Sequence, residues 1–328
     1  MNRVIITGGN GFIGSHLVKK LLSYKQYSVV LISDTSNIRD KNLENGKALQ
    51  DTPITSYTAD IRDRNAISEI FSDVKADTCV HLAAKVSVAD SIKNPDETME
   101  INAKGTMNVL EACHRSQTRN FVFASSAAVY GDVRELPISE SHDLGPLSPY
   151  GTSKMVAEEH VSLYRKLKKL ENAIILRIFN VYGKGQASGT DVITRFVARL
   201  SKGLPPIIFD DGRHTRDFIS VEDVARALLL SIRLSEQGPN TGNNDLNLPM
   251  IFNTGTGIPT SMKELAKKVI EIFGLDLDPI YDREKVDSKV ILHSYADMTR
   301  AREILHFVPK KAIDEGLREI IDPMLTPK

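Results

Sequence analysis

Strand-like and helix-like segments alternate along the first half of the chain, and this alternation constrains the fold more than any other feature. "RVIIT" is rich in β-forming residues and ends at glycines, and "FIGSHLVKKLLSY" then carries apolar residues at helical spacing. The strands "YSVVLIS", "ITSYTAD", "DTCVHLAA", "RNFVFASS" and "NAIILRIFNVYG" follow, with helical segments between most of them. One of these helices is expected through "ETMEINAKGTMNVLEACHRS". Because strands separated by helices pair in parallel through right-handed crossovers, the sequence predicts an α/β fold with a Rossmann-type doubly wound parallel sheet.

The pattern changes after about residue 180, where glycine- and proline-rich loops such as "YGKGQASGT" and "SKGLPP" separate shorter elements. "VITRFVARLSK", "SVEDVARALLLSIRL" and "SMKELAKKVIEIFG" have the apolar spacing of helices. We therefore predict a Rossmann domain over residues 1–179 and a smaller C-terminal α/β substrate-binding domain over 180–328. The sheet strands of the two can be partly interleaved.

Charge and cysteine content exclude several classes of function. The 328 residues carry 42 Lys and Arg against 42 Asp and Glu, and this balance argues against broad binding to nucleic acid. The longest apolar stretches, such as "ALLLSI", are far too short to span a membrane. Cys79 and Cys113 lie in apolar contexts without metal-ligand spacing, which predicts reduced thiols, no metal site and a cytoplasmic location.

A glycine-rich turn joins the first predicted strand to the first predicted helix. In "TGGNGFIGSHL", Gly8, Gly11 and Gly14 are spaced as G-x-x-G-x-x-G, with Phe12 and Ile13 between the last two. Glycines let the backbone approach a pyrophosphate closely, and the helix N-terminus offers N–H groups and the positive end of its dipole. The motif predicts a dinucleotide-binding site, although a simple tight turn has the same composition.

The ends of the second and third strands provide candidates for the adenosine half of a dinucleotide. An acidic residue about 20 positions after the glycines hydrogen-bonds the ribose hydroxyls and repels a 2′-phosphate. Asp34 stands at that distance, Ser33 competes for the same place, and Arg39 a few residues on is suited to a phosphate. The arrangement favours NAD over NADP. Residues 60–61 (Asp60 and Ile61) can flank the adenine, but Asp60 is equally suited to cap the next helix.

Tyr150 and Lys154 begin a long predicted helix in "SPYGTSKMVAEEH". Their spacing of four positions puts both side chains on one helix face. A lysine ammonium beside a phenol favours the phenolate, which predicts a lowered pKa for Tyr150 and a role as proton acceptor. On its own this motif also fits an ordinary exposed helical pair.

Taken together, these motifs resemble the extended short-chain dehydrogenase/reductase superfamily, and within it the NAD-dependent epimerase/dehydratase family. The chain looks most like the UDP-hexose 4-epimerases, from Met1 to about Pro309. Besides the motifs above, the resemblance rests on "HLAA", "NAKGTMNVLEAC", "LRIFNVYGKGQ", "DDGRHTRDFISVEDVARA" and "NTGTGIPTSMKELA". It implies bound NAD, contacts from Leu82, Ala83 and Ala84 to that cofactor, a UDP-sugar substrate and a homodimer.

The resemblance also implies roles in catalysis and substrate binding. Ser126, Tyr150 and Lys154 correspond to the catalytic residues, with Ser126 bonded to the sugar 4-hydroxyl and Lys154 also on the nicotinamide ribose. Asn180 and Arg216 correspond to residues that hold the diphosphate. Ser126 can alternatively be a strand-end serine bonded to the backbone. Arg216 can alternatively form a salt bridge with Asp217 or Glu222. Asn102 is expected to support the fold and the nicotinamide end of the site rather than the chemistry.

The chain departs from the family pattern near its C-terminus. An arginine and an aspartate that usually hold the uridine ribose and a phosphate correspond here to Asp287 and Val290, although Arg283 lies nearby. Uridine is therefore an expectation from the resemblance alone. Ser294 corresponds to a gate beside the sugar 2-substituent, and its small size predicts that UDP-N-acetylglucosamine is accepted as well as UDP-glucose.

The expected function is 4-epimerisation of a UDP-sugar through a transient 4-keto intermediate. A 4,6-dehydratase needs an Asp-Glu pair after the catalytic hydroxyl residue, but this chain has Ala127 and Ala128 there. The same alanines count against a UDP-glucuronate decarboxylase. UDP-glucuronate 4-epimerisation and reduction of a nucleotide 4-keto sugar stay open. A function of a different class, that of a non-catalytic dinucleotide sensor, also stays open.

Overall fold

The computed structural model describes residues 1–34, 54–133, 135–238, 249–282 and 291–325. Seven strands form its central sheet: β1 Asn2–Thr7, β2 Tyr27–Ser33, β3 Ile54–Thr58, β4 Thr78–His81, β5 Asn120–Ser126, β6 Asn172–Ile178 and β10 Met250–Thr254. They are all parallel and lie in the order β10-β6-β5-β4-β1-β2-β3. This confirms the predicted Rossmann-type doubly wound sheet. Because β10 lies beyond residue 180, the sheet extends past the predicted domain boundary at 179/180, which itself stays a prediction.

Helices cover both faces of the central sheet, and others pack with the short strands of the C-terminal part. They are α1 Phe12–Leu22, α2 Arg64–Val74, α3 Val88–Lys93, α4 Pro95–Met99, α5 Gly105–Arg115, α6 Pro149–Lys166, α7 Val192–Leu200, α8 Val221–Glu236, α9 Met262–Phe273, α10 Thr299–Glu303 and α11 Ile313–Leu325. Within the described ranges, no helix is long and apolar enough to cross a membrane.

The strands are apolar on both sides because each face of the sheet has its own core. Val4 and Ile6 of β1 pack with α1 and α8, whereas Ile5 between them packs with α2, α5 and α6 on the opposite face. In β5, Val122 likewise belongs to the first core, and its neighbours to the second. This explains why the strands are continuous apolar runs rather than alternating ones.

Two segments differ from the continuous elements that the sequence predicts. The helix expected through "ETMEINAKGTMNVLEACHRS" contains a π-helical turn, Glu100–Lys104, between α4 and α5. There the Asn102 carbonyl accepts the Thr106 hydroxyl at 2.5 Å. The strand expected through "NAIILRIFNVYG" divides at Phe179, whose N–H donates to the Thr254 carbonyl. The chain then leaves the central sheet and joins a second one.

The second sheet is centred on β9 Thr215–Ser220. β7 Asn180–Tyr182 and β13 His293–Ser294 pair with it in parallel, and β11 Pro259–Ser261 pairs antiparallel. β8 Ile207–Phe209 and β12 Ile280–Asp282 form a separate pair. A third apolar core, which includes Tyr182, Phe196 and Leu265, holds these strands to α7, α9 and α11. These short strands and helices therefore form a smaller α/β unit with its own core, and a separate substrate-binding domain over 180–328 stays a prediction.

Truncating Phe71 tests the core under the sheet. Its side chain is fully buried, so Phe71→Ala should lower the free energy of unfolding by about 3–5 kcal/mol through lost burial and an added cavity. Ser72→Ala, on the exposed side of the same helix, should change it by less than about 0.5 kcal/mol. Urea unfolding followed by circular dichroism measures both. Equal midpoints for the two variants would contradict this packing.

Candidate active site

The glycine-rich turn lies between β1 and α1 and closely approaches β4. Gly8 adopts a φ of +71°, and a Cβ added there would lie 2.7 Å from the Ala83 nitrogen. A side chain is therefore excluded by conformation and by space. Gly11 is the N-cap of α1, and no side chain in the described part of the protein caps this helix. The turn thus combines close backbone packing with a helix N-terminus available to a ligand, which fits a dinucleotide pyrophosphate.

Ser33 and Asp34 lie next to this turn, at the carboxyl end of β2. Ser33 is buried, and its hydroxyl accepts a hydrogen bond from the Asn10 N–H at 3.3 Å. Asp34 is exposed at the end of the strand. Arg39 lies outside the described residues. Both candidates for ribose binding therefore lie near the glycine-rich turn. Of the two, only Asp34 has an exposed side chain.

Asp60 does not cap the helix that follows it. Its carboxylate forms an ion pair with Arg62 at 2.5 Å, and this pairing lowers the pKa of Asp60. Asp63 caps α2 instead, where it accepts the N–H groups of Asn65 and Ala66. The capping interpretation is therefore wrong for Asp60. Ile61, next in the chain, is buried.

Leu82, Ala83 and Ala84 follow β4 beside the same turn. The Leu82 N–H donates to the Thr7 carbonyl at 3.0 Å, and the Ala83 N–H approaches the Thr7 hydroxyl at 3.4 Å. The Thr7 hydroxyl also bonds His81 at 2.6 Å, and burial lowers the pKa of that imidazole to about 3. A neutral histidine therefore fixes the ends of β1 and β4, a role for His81 that the sequence motifs do not reveal.

Tyr150 and Lys154 lie on α6 where this helix meets the end of β5. Ser148 caps α6 by accepting the Gly151 N–H at 3.1 Å. Both side chains are buried: the Tyr150 phenol interacts with the Ser126 side chain, and the Lys154 ammonium donates to the Ala124 carbonyl at 2.8 Å. The structure therefore brings together the three predicted catalytic residues.

Ser126 also bonds the backbone, as its alternative interpretation proposed. Its hydroxyl accepts the Ala128 N–H at 3.2 Å and so begins the short 3₁₀ turn Ala127–Val129. The backbone bond and the contact with Tyr150 coexist. They fix the hydroxyl at the strand end while the turn places two methyl side chains, not carboxylates, directly after it.

The pKa of Tyr150 moves in the direction opposite to the sequence-based expectation. Burial raises it, and the hydrogen bond with Ser126 only partly opposes this. Lys154 binds a carbonyl and lies 4.8 Å from the centre of the Phe123 ring, and burial lowers its own pKa to about 8. The protein's own groups therefore raise the pKa of Tyr150, and the expectation that they lower it is wrong.

Three of the predicted substrate-binding residues, Asn180, Arg216 and Ser294, gather around β9. Arg216 is on β9, and Ser294 on β13 is its direct register partner. Ser294 is buried. Asn180 is exposed on β7, where its partner is Phe218, two residues beyond Arg216. Arg283, Asp287 and Val290 lie outside the described residues.

Arg216 does not form the salt bridge that was its alternative interpretation. Asp217 accepts four hydrogen bonds from Thr256, Gly257 and Ala296 instead, and Glu222 pairs with Lys311. Among the described residues, no carboxylate pairs with Arg216, whose Nη1 donates to the Thr215 carbonyl at 2.8 Å. Burial lowers the pKa of its guanidinium. A partly buried cation without an acidic partner is suited to an anionic ligand.

Asn102 connects the loop after β4 to α6. Its side chain bonds the backbone of Lys85 on both sides, at 2.8 and 2.9 Å, and donates to the Ser153 hydroxyl at 2.9 Å. Ser153 donates in turn to the Tyr150 carbonyl at 2.7 Å. Asn102 therefore holds the helix that carries the candidate catalytic residues, in agreement with a supporting role.

The comparisons with known proteins agree with this geometry. A putative UDP-glucose 4-epimerase of Methanocaldococcus jannaschii is 38% identical, over 98% of both chains. The UDP-glucose 4-epimerase of Thermotoga maritima, solved with UDP-glucose, is 32% identical with a TM-score of 0.85, over 98% of this chain and 97% of that one. The UDP-N-acetylglucosamine 4-epimerase of Methanobrevibacter ruminantium, solved with UDP-N-acetylmuramic acid, is 27% identical with a TM-score of 0.84, over 99% and 98%. The model of the NAD dependent epimerase/dehydratase family matches residues 4–248, and the chain belongs to this family.

Proposed function

We propose that this protein is an NAD-dependent 4-epimerase of UDP-sugars. The observation that carries the proposal is that Ser126, Tyr150 and Lys154 converge at the carboxyl end of β5, with alanines rather than acids at 127 and 128. Membership of the family and likeness to UDP-glucose 4-epimerases support it. The alanines favour epimerisation over 4,6-dehydration, because no acid there can protonate a departing hydroxide.

The glycine-rich turn and the strand ends beside it are proposed to hold NAD. Gly8, Gly11, Phe12, Ile13 and Gly14 would face the pyrophosphate, whereas the ribose and adenine would be held by Ser33, Asp34, Asp60 and Ile61. Leu82, Ala83, Ala84, Tyr150 and Lys154 would hold the nicotinamide half. When bound, NAD supplies a hydride acceptor that can return the hydrogen to either face of C4.

Tyr150 is the proposed proton acceptor for the sugar 4-hydroxyl, and Ser126 orients that hydroxyl. Burial favours the neutral phenol, so removal of a proton from Tyr150 requires a nearby positive charge. Lys154, with a pKa of about 8, is largely charged at neutral pH and lies one turn away on the same helix face. The same groups return the proton when the 4-keto sugar is reduced from its other face.

Asn180 and Arg216 are proposed to anchor the diphosphate. The Arg216 guanidinium is planar and can bond two phosphate oxygens at once, and no acidic side chain in the described structure competes for it. With the diphosphate fixed, a flat 4-keto sugar can turn and present its opposite face. The uridine-binding end of the site remains an expectation from the family resemblance.

We also propose a cytoplasmic homodimer. The outward faces of α5 and α6 expose Met107, Leu163 and, just after α6, Leu167. Such apolar side chains on adjacent helices are suited to packing against a second copy. Two buried free thiols, Cys79 and Cys113, are compatible with a reducing compartment.

Incubating the purified protein with UDP-sugars and no added cofactor tests the function. We expect interconversion of UDP-glucose and UDP-galactose, followed by proton NMR of the anomeric signals, because an epimerase regenerates its bound NAD. If the protein converted UDP-glucuronate and no other UDP-sugar, the assigned substrate would be a UDP-uronic acid instead of a UDP-hexose. Turnover of a 4-keto sugar only with added NADH or NADPH would identify a reductase and overturn the proposal.

Removing the Tyr150 hydroxyl tests the proton acceptor. Tyr150→Phe should lower kcat by about 10²–10⁴-fold, the usual contribution of a positioned acid–base group, while NAD stays bound. Tyr164→Phe on the same helix is the control, since that hydroxyl binds Glu111 away from the site and its loss should leave kcat unchanged. A Tyr150→Phe protein with full turnover would exclude the proposed mechanism.

Enlarging Ser294 tests the sugar gate. Ser294→Tyr should reduce kcat/KM for UDP-N-acetylglucosamine at least about tenfold more than for UDP-glucose, because the larger ring would fill the space for an N-acetyl group. Ser141→Tyr, in an exposed loop, should leave the ratio of the two values unchanged. An unaltered ratio in Ser294→Tyr would show that the gate assignment is wrong.

A further inference from the structure

Three consecutive residues at the end of β5, 124–126, each contact one buried residue of α6. The contacted residues are spaced by four positions and share one helix face: Tyr150, Lys154 and Glu158. The first strand residue accepts a hydrogen bond from Lys154 at its carbonyl, at 2.8 Å, and the second donates its hydroxyl to the Glu158 carboxylate. The third interacts with Tyr150 through its side chain. Glu158 is therefore the third member of a row whose other two members are the candidate catalytic residues.

The Glu158 carboxylate forms a buried ion pair with an arginine. Arg177 of β6 bonds both of its oxygens, with Nε at 3.1 and 3.2 Å and Nη2 at 2.8 Å, and each side chain of this pair is only 4% exposed. The remaining Arg177 nitrogen donates to the Tyr130 hydroxyl and the Glu140 carbonyl. Apolar residues of similar volume often hold two elements together at no greater cost than a buried ion pair. The negative charge itself therefore needs an explanation.

Lys154 is the cation that benefits from this anion. Its side chain is buried, its ammonium has a neutral carbonyl as partner, and burial lowers its pKa to about 8. Glu158, one helical turn further on, opposes that shift. Three other titratable groups surround this pair: His81 on β4 interacts electrostatically with Lys154, Tyr150 lies one turn before Lys154 on the same helix face, and Arg177 is bonded to Glu158. His81 is neutral, since burial and Lys154 lower its pKa to about 3.

We propose that Glu158 is a positioning residue of the active site, whose carboxylate, fixed by Ser125 and Arg177, keeps the Lys154 ammonium charged beside Tyr150. The inference rests on the proposed roles of Tyr150 and Lys154. According to this proposal, Glu158 does not touch the substrate but influences the pH range of turnover through Lys154.

The effect on pH dependence follows from the sign of the charge. Turnover requires protonated Lys154 and is lost as the pH rises through its pKa. Glu158→Gln removes the anion and leaves the Arg177 cation behind, and both changes disfavour the ammonium. The alkaline limb of the kcat profile should therefore move down by about one pH unit. Glu158→Asp keeps the charge and should restore at least half of that shift.

Glu159→Gln is the matched control, because the same substitution at the adjacent, exposed position should leave the profile unchanged. If Glu158→Gln does not fold, the variant with Glu158→Gln and Arg177→Gln together replaces the ion pair by two amides, and its alkaline limb should also move down. A profile of either folded variant that coincides with the wild-type profile would overturn the proposal, even where stability falls.

A second measurement separates this inference from the proposed function. The holoenzyme carrying ¹³Cε-labelled lysine is titrated by NMR, and Lys154→Met identifies the Lys154 signal. The midpoint should fall by about one pH unit in Glu158→Gln and stay constant in Glu159→Gln. This result would support the coupling even if no UDP-sugar were a substrate. An unchanged Lys154 midpoint would reject it even if epimerisation were demonstrated.

Discussion

The active site depends on how closely the end of β5 approaches the start of α6. A Cβ added at Gly151 would lie 2.5 Å from the Ala128 carbonyl oxygen, so only glycine allows the helix to contact the turn that follows Ser126. At this separation the strand end can bond Tyr150, Lys154 and Glu158 in one row. A larger residue at position 151 would move the helix away from the strand end and break all three contacts at once.

The parallel sheet brings the remaining groups to the same edge. The glycine-rich turn, Ser33, Leu82 and Ser126 all lie at the carboxyl ends of adjacent strands, although they are far apart in the sequence. Beyond β6 the chain crosses at Phe179 to the second sheet, in which β9 aligns Arg216 with Ser294. One sheet edge thus carries the candidate cofactor and proton-transfer groups, and one strand of the next sheet carries the candidate substrate groups.

The fold and the glycine-rich turn could be predicted because their signals are local. Apolar runs, helical spacing and the G-x-x-G-x-x-G motif lie within single segments of the sequence. The Arg177–Glu158 pair could not be predicted, since its members belong to different elements and arginine within "IILRIFN" indicates nothing about its partner. The direction of the Tyr150 pKa shift also escaped prediction, because it depends on burial and on the carbonyl that binds Lys154.

Two cations in the candidate site are held below their ordinary pKa values by burial, although the whole chain has equal numbers of acidic and basic residues. Lys154 donates to the Ala124 carbonyl and Arg216 to the Thr215 carbonyl, so among the described residues neither forms an ion pair. Burying a cation that has no directly bonded anion is unfavourable, and an arriving negative charge offsets that cost. A diphosphate at Arg216 and a phenolate near Lys154 would supply such charges, one on binding and one during proton transfer. The positive charges are thus fixed in advance where negative charge is expected to arrive or form, which favours the transition state without reorganisation of the protein.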